Sequence, residues 1–494
     1  MRSGVPANDP AMTPDDQSGE MRRTLDENRR LRGELDRLRA DNDRLHADNE
    51  QLRGRLSELE AKLEAALRAG KRQSAPFSKG EPKADPKRPG RKSGEKHGRH
   101  GHRQPPEQVD ETVVVSVPCA CPEPECGGEL EEAGVEEQWQ EEILPPRPIR
   151  RRFVIHVGRC GKCGRRVRGR HPLQTSAATG AAAAQVGPEA LSAAARLHYE
   201  LGLSMGKTAV VLQEMYGIKI TRGGVAQALA RLGERCEPTY GALVSSVRRA
   251  LVVVMDETGW RVGGIKAWLW VAVAALVTVY AIRRGRGFEE AAELIGKEYA
   301  GLLVRDGWGP YRGFKKAGHQ TCLAHLLRRC GEMLETARGR GREIPKTVKA
   351  ILLAALKLRD RHQAGEISEQ EYLAALDKLE DRLRAQLARP VSGADSPQGR
   401  LLRHLAREFD ALFAFLRQPG LPATNWMAEQ ALRPAVVNRK VWGGNRTWNG
   451  ARHQERLMSV LRTARQQQCD PIIILADLLR TPGSVAPLAL TAPA

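Results

Sequence analysis

The chain has 494 residues, and at roughly 100–200 residues per domain that length suits three or four units. Lys and Arg number 79 against 59 acids, a net charge of +20, which points to a polyanionic partner, most often nucleic acid. The longest apolar stretch, near Trp268 to Ile282, is broken by Thr278 and Tyr280 and falls short of the roughly 20 residues a membrane span needs. The N-terminus, MRSGVPANDP, lacks the apolar core of a secretory signal. Nine cysteines, five of them within 119–163, fit a metal site in a reducing cytoplasm better than a disulfide framework.

Residues 1–19 read as a disordered tail, and 20–70 as a coiled coil. Leu31, Leu38, Leu45, Leu52 and Leu59 recur every seven residues, with Asn28, Leu35, Asn42, Asn49, Leu56 and Leu63 at the partner positions. A seven-residue repeat keeps one seam facing a partner helix, and Asn within it fixes register in parallel dimers. Self-association is expected; a lone amphipathic helix would carry a wider apolar face.

Residues 71–110 read as a basic, disordered linker. Within 71–103 there are 11 basic and 3 acidic side chains among Pro, Gly and Ser. Such a segment cannot bury enough surface to order itself. Lys87, Arg88, Arg91 and Lys92 are its candidate phosphate contacts, although a tether that only solubilises would share the composition.

Residues 111–175 suggest a zinc ribbon. Cys121 and Cys126 form one knuckle and Cys160 and Cys163 the second, each followed by glycine, with FVIHV between them as a strand. Four thiolates close a structural site and leave no catalytic position. Cys119 is an alternative first ligand. Residues 176–236 suggest two helices, about 207–215 and 221–232, around a Tyr216-Gly217 turn, with Thr221 as N-cap. This matches a helix-turn-helix plan with Arg222 facing DNA, or equally a helical hairpin within a larger domain.

Residues 237–480 alternate strands and helices. ALVVVMDETGW places Asp256 after a β-branched run, and GLLVRDGWGPY places Asp306 after another apolar strand. Strands near 266–275 and 277–283 and a helix near 289–299 lie between them. Glu429 falls about one turn into a helix that Asn425 can cap. Three carboxylates in one cleft need cations, and two Mg²⁺ ions suit in-line phosphodiester displacement. Spacing alone leaves Glu257, Glu408, Asp410 and Glu455 as competitors. Residues 481–494 read as a tail.

These residues together resemble the insertion-sequence-66 family of bacterial DDE transposases. The resemblance rests on CGGEL, RCGKCGRRV, DET with Trp260, RDGWGPYRGF, HQTCLAHLLRRC and NWMAEQALRPAVVNRKVW. It implies an α/β, RNase H-like catalytic domain with a helical insertion at about 326–420, and Asp256, Asp306 and Glu429 as the Mg²⁺-binding acids. It also implies binding of terminal inverted repeats and strand transfer into target DNA, in the cytoplasm at the nucleoid, with accessory proteins of the same mobile element as further partners. Cys322 and His325 then orient the catalytic strand, with a metal site or plain packing as alternatives. Arg433, Arg439 and Lys440 are read as phosphate-facing, and Trp442, Asn445, Arg446 and Trp448 as groups that stack on splayed bases. The rival functions are a non-catalytic DNA-binding regulator and a structure-specific nuclease.

Overall fold

The computed structural model describes residues 14–70, 105–178 and 185–490, apart from 117, 119, 122–125, 131–133, 142, 144, 145, 392 and 394. The linker cations Lys87, Arg88, Arg91 and Lys92 and the alternative ligand Cys119 lie outside the described residues. So do most of the N-terminal tail and the last four residues.

Helix α1 runs over Pro14–Gly70, so it begins inside the segment expected to be a tail. Its sequence is mostly good helix formers with three internal glycines, Gly19, Gly33 and Gly54, which fits the length. Leu31, Leu38, Leu45, Leu52 and Leu59 are each more than half exposed along it. The cysteine-rich segment forms a small hairpin of β1 (Val157–Arg159) and β2 (Arg166–Arg168), paired antiparallel. The strand expected over FVIHV thus contributes only its last residue. The tight turn between Cys160 and Arg165, closed by their backbone bond, sets where pairing begins.

Three helices follow: α2 (Pro188–Ala195), α3 (Met205–Tyr216) and α4 (Arg222–Arg235). Gly217 ends α3 in the left-handed conformation, at φ 64°, and the Thr221 hydroxyl accepts from the Gly224 N–H to start α4. Next come α5 (Glu237–Arg249), β3 (Val252–Val262), β4 (Ile265–Val273), β5 (Thr278–Arg283), α6 (Phe288–Ile295), β6 (Leu302–Arg305) and β7 (Gly318–Thr321). A largely helical stretch comprises α7 (Leu323–Thr336), α8 (Glu343–Gln363), α9 (Glu369–Leu387), α10 (Pro397–Arg407) and the single turns α11 (Phe409–Leu412) and α12 (Ala414–Arg417). The chain closes with α13 (Trp426–Trp442), α14 (Trp448–Gln466) and α15 (Pro471–Arg480).

The five-stranded sheet is mixed, in the order β5-β4-β3-β6-β7. β3, β4 and β5 form an antiparallel meander, and β6 and β7 run parallel to β3. The β3–β4 hairpin turns through Gly263 and Gly264, both at positive φ, as a two-residue turn matched to strand twist requires. One buried cluster extends from Ala194 in α2 to Leu488 beyond α15, so the helices ahead of the sheet share its core. The segment after α15 is docked as well: the Ala486 N–H donates to Thr239 Oγ1.

The outer edge of β5 is closed by side chains of α14. Glu455, Ser459 and Thr463 accept from the backbone N–H groups of Ile282, Tyr280 and Thr278, at 2.8, 2.9 and 3.1 Å. A helix advances about 6 Å in four residues and a strand about 6.8 Å in two, so the i, i+4, i+8 row of the helix matches the free N–H row of the edge. An exposed edge of this kind would otherwise invite pairing with another chain. Among the described residues, no helix is long and apolar enough to cross a membrane.

Ser459→Ala should leave the Tyr280 N–H buried and unpaired. A loss of about 1–3 kcal/mol in urea unfolding is expected; an unchanged midpoint would show that the helix does not seal the edge.

Candidate active site

β3 and β6 pair in parallel register only as far as Val254 with Val304. Asp256 and Asp306 are each two residues further on, so both lie at the carboxyl end of the parallel pair, on the crevice side where open α/β sheets hold ligands. Asp256 does not end its strand, as the apolar run suggested. β3 continues to Val262 because its other edge stays paired with β4. Glu429 enters from α13, in the first turn. Asn425 precedes that helix but makes no side-chain cap; it is fully buried, with both side-chain polar atoms unpartnered.

Electrostatics tie the three acids together. Burial first, then the adjacent Glu257, and then Asp306 and Glu429 together push the Asp256 carboxyl up to about 8, against a hydrogen bond from the Glu257 N–H. Among the described residues no cation is paired with Asp256 or Asp306. Oδ1 of Asp306 accepts from the Trp308 N–H at 2.8 Å, and Glu429 meets only His325, at 3.5 Å.

Three of the four competing acids are engaged. Glu257 is buried and bonded to Arg286 at 2.6 Å and to the Tyr311 hydroxyl. Glu408 is buried against Arg305, Arg312 and Thr321. Burial would raise its carboxyl, but these partners hold it below the ordinary range. Glu455 is bound to Arg283 and to the β5 edge. Asp410 is exposed on α11.

Cys322 and His325 bracket the start of α7. The Cys322 N–H donates to the Arg305 carbonyl at 2.8 Å, and its sulfur accepts from the Asn425 N–H at 3.4 Å. Cys322 thus links the end of β6 to the start of α13, which carries Glu429, while His325 Nε2 lies 3.5 Å from the Glu429 carboxylate.

Of the residues read as base-stacking, Trp442 and Asn445 are engaged by the protein itself. Trp442 is stacked on His198, ring centroids 4.7 Å apart, and packs edge-on to Trp260. Buried Asn445 accepts from Trp260 Nε1 at 2.7 Å and donates to Gln454 at 2.9 Å. Arg439 donates to the Gly259 carbonyl and to Thr258 on β3. Together they seat the α13–α14 turn on the β3–β4 hairpin, where Gly444, at φ +117°, leaves no room for a Cβ against the Arg261 carbonyl. The sequence mixture of Trp, Asn and Arg gave no sign of this because each group bonds to residues about 180 positions away. Trp448 lies under the Arg284 guanidinium, 5.1 Å from its centroid. Arg222, Arg433, Lys440 and Arg446 are exposed.

Two functional features escaped the sequence reading. The Arg305–Glu408 pair joins the helical stretch to the residue preceding Asp306. A shallow cleft of Asp306, Cys322, His325, Arg328, Arg329 and His404 lies beside it. Gly307 is required there, since a Cβ would strike the His404 ring.

Cation fit differs between the two candidate metal centres. Asp256, Asp306 and Glu429 offer hard oxygen donors in one field, which suits Mg²⁺, an ion that keeps several waters and needs few carboxylates. They do not close into a three-ligand cage. The cysteines stand as pairs. Cys126 is held below the usual thiol range by the Gly128 N–H and by Cys121, and Cys160 by the N–H groups of Cys163 and Lys162 and by the Cys163 thiol. Among the described residues no third ligating side chain joins either pair, so the four-thiolate zinc centre expected from spacing is not assembled. Each knuckle is closed by its own backbone bonds, Cys121 to Gly128 and Cys160 to Arg165, and these set each pair separately.

A carboxyl raised by burial favours folding while protonated, below its unfolded value near 4, and loses that contribution as pH rises through about 8. In metal-free buffer at pH 7, Asp256→Asn should therefore be more stable than the wild type by about 1 kcal/mol or more, and the gap should close toward pH 4. Equal urea midpoints at both pH values would mean that Asp256 ionises without penalty.

The sequence has known relatives. Two curated proteins of Sinorhizobium fredii (strain NBRC 101917 / NGR234) are similar. One, uncharacterized protein y4qI, is 24% identical over 297 residues, covering 53% of each chain. The other, uncharacterized protein y4hP, is 26% identical over 226 residues, covering 40% of each. The chain thus spans about half or less of the length of the curated relatives it matches. Residues 183–453, from just before α2 into α14, match the model of the transposase IS66 family. That match takes in the sheet, all three acids and more than half of the chain, and the protein belongs to the transposase IS66 family.

Proposed function

We propose that this chain cuts and joins DNA at the ends of its own mobile element, through Asp256, Asp306 and Glu429 on an RNase H-like sheet. The observation that carries this reading is the field at Asp256. Burial and Glu257 raise its carboxyl and two acids from distant parts of the sequence add to the shift, while every competing buried acid has a cationic partner. A site of this sign is one that divalent cations would stabilise. These carboxylates would hold Mg²⁺, which when bound would supply activation of a water or 3′-hydroxyl and offset charge on the leaving oxygen.

The chain's own residues do the placing. Asp256 is fixed by the Glu257 N–H, and Asp306 by the Trp308 N–H. Glu429 is oriented by His325, while Cys322 fixes the start of its helix. Exposed Arg433, Lys440 and Arg446 on and after α13 supply phosphate contacts near the acids. Arg222 begins α4, whose solvent face also carries Gln227 and Arg231, and this helix-turn-helix-like pair is proposed to read the terminal inverted repeats. The protein is proposed to act in the cytoplasm at the nucleoid, with accessory proteins of the element as further partners.

The exposed heptad leucines of α1 support a parallel self-assembled coiled coil. Deleting 1–70 should lower the molar mass measured by light scattering to that of a smaller assembly; an unchanged oligomer would place self-association elsewhere.

With duplex DNA carrying the sequences that flank the gene, Mg²⁺-dependent nicking and strand-transfer products are expected. Asp256→Asn, Asp306→Asn or Glu429→Gln should each reduce both at least a hundredfold and leave DNA binding in place. Binding with no cleavage by the wild type would indicate a regulator. Cleavage without strand transfer would indicate a nuclease.

A further inference from the structure

We propose that Trp308 is the seat for an unpaired DNA base beside the candidate catalytic carboxylates. This rests on the transposase reading, since it needs DNA at Asp256 and Asp306. Trp308 follows Asp306 by two residues, and its N–H donates to Asp306 Oδ1 at 2.8 Å. The residue that carries the indole is therefore tied to the Asp306 carboxylate through its backbone.

The surroundings of the ring are built for stacking. The Arg286 guanidinium lies 4.1 Å from the ring centroid, and the indole N–H donates to the Arg286 carbonyl at 3.1 Å. Arg286 is also 4.8 Å from the Trp268 ring, over which Lys266 sits at 5.1 Å. Cation and aromatic alternate along Lys266, Trp268, Arg286 and Trp308 up to the site. Arg286 cannot swing away, because its Nε is bonded at 2.6 Å to Glu257, which is itself held by Tyr311.

Two features select a base over a phosphate. The charge of Arg286 is already matched by buried Glu257, so the stack ends in an aromatic surface and not in a free cation. Trp308 stays 39% exposed, whereas Trp260 and Trp270 are buried in the core. Every base has a π face that such a ring accepts, so the seat is tolerant of sequence. Within a duplex those faces are covered by neighbouring pairs. The seat therefore takes a base that has left the stack, as happens at a frayed or distorted strand end.

The test uses the full-length protein in EDTA, so that no cleavage occurs. It compares a duplex carrying one unpaired 2-aminopurine with the same duplex fully paired. The wild type should bind the first about tenfold more tightly and quench its fluorescence. Trp308→Ala should lose most of the preference and the quench, and Trp308→Phe should keep most of the preference. Trp308→Leu, close in apolar bulk, replaces alanine if thermal melting shows that alanine unfolds the loop. Equal affinity of the wild type for both duplexes, or a quench unchanged without the indole, overturns the seat. Nicking with Mg²⁺ is measured on the paired duplex in parallel. Nicking without any preference removes the seat alone, and failure to bind either duplex removes the transposase reading with it.

Discussion

Among the described residues, Asp256 is a half-buried carboxylate paired with no cation. Asp256 lies where the parallel pairing of β3 and β6 stops, with Glu257 beside it and Asp306 and Glu429 within electrostatic reach. Negative charge at this density opposes the folded state unless something offsets it. The fold offsets it everywhere except at these acids. Arg286 answers Glu257, Arg305 and Arg312 answer Glu408, and Arg283 answers Glu455. The result is a local excess of oxygen donors beside acids that each have a cationic partner.

Holding three acids that lie up to 173 positions apart requires rigid links between the elements that carry them. The first link is the sheet register. The second runs through the helical stretch between β7 and α13. Glu408 reaches from the end of α10 to Arg305, so the long insertion is anchored one residue before Asp306. The third is the α13–α14 turn, locked onto the β3–β4 hairpin by Asn445, Arg439 and Gly444. Cys322 closes the loop by joining β6 to the start of α13. Each link is short and buried, so a displacement of any one element shifts an acid.

Much of this was legible in the sequence, and the reasons are local. A β-branched run marked β3, a short apolar run marked β6, and the apolar run from Trp268 marked β4 and β5. Thr221 and Gly217 marked the ends of α3 and α4 through cap chemistry that depends on adjacent residues. What was not legible depended on distant partners. Asp256 was read as ending a strand because an apolar run stops there, yet β4 continues to pair with β3 as far as Val262. Trp442 and Arg439 look like nucleic-acid contacts by composition. Their engagement with His198, Trp260 and the β3 backbone emerges only once residues about 180–240 positions apart meet. Glu408 looked like a rival acid, and nothing near it in the sequence announces Arg305.

The same logic separates the polar groups that hold the fold from those left to act on a substrate. A cation already matched by a buried carboxylate contributes rigidity, as Arg286 and Arg305 do. A cation on the surface without such a match, such as Arg433 or Lys440, is free to release counterions from a phosphate. Aromatic rings divide in the same way. Trp260, Trp270 and Trp442 bury their faces against other side chains, whereas Trp308 is pinned at its edge and one face and still reaches solvent. Matched groups thus form the frame, and the unmatched ones, the acids at 256, 306 and 429, the cations of α13 and the indole at 308, define the surface on which a polyanion with exposed bases would rest.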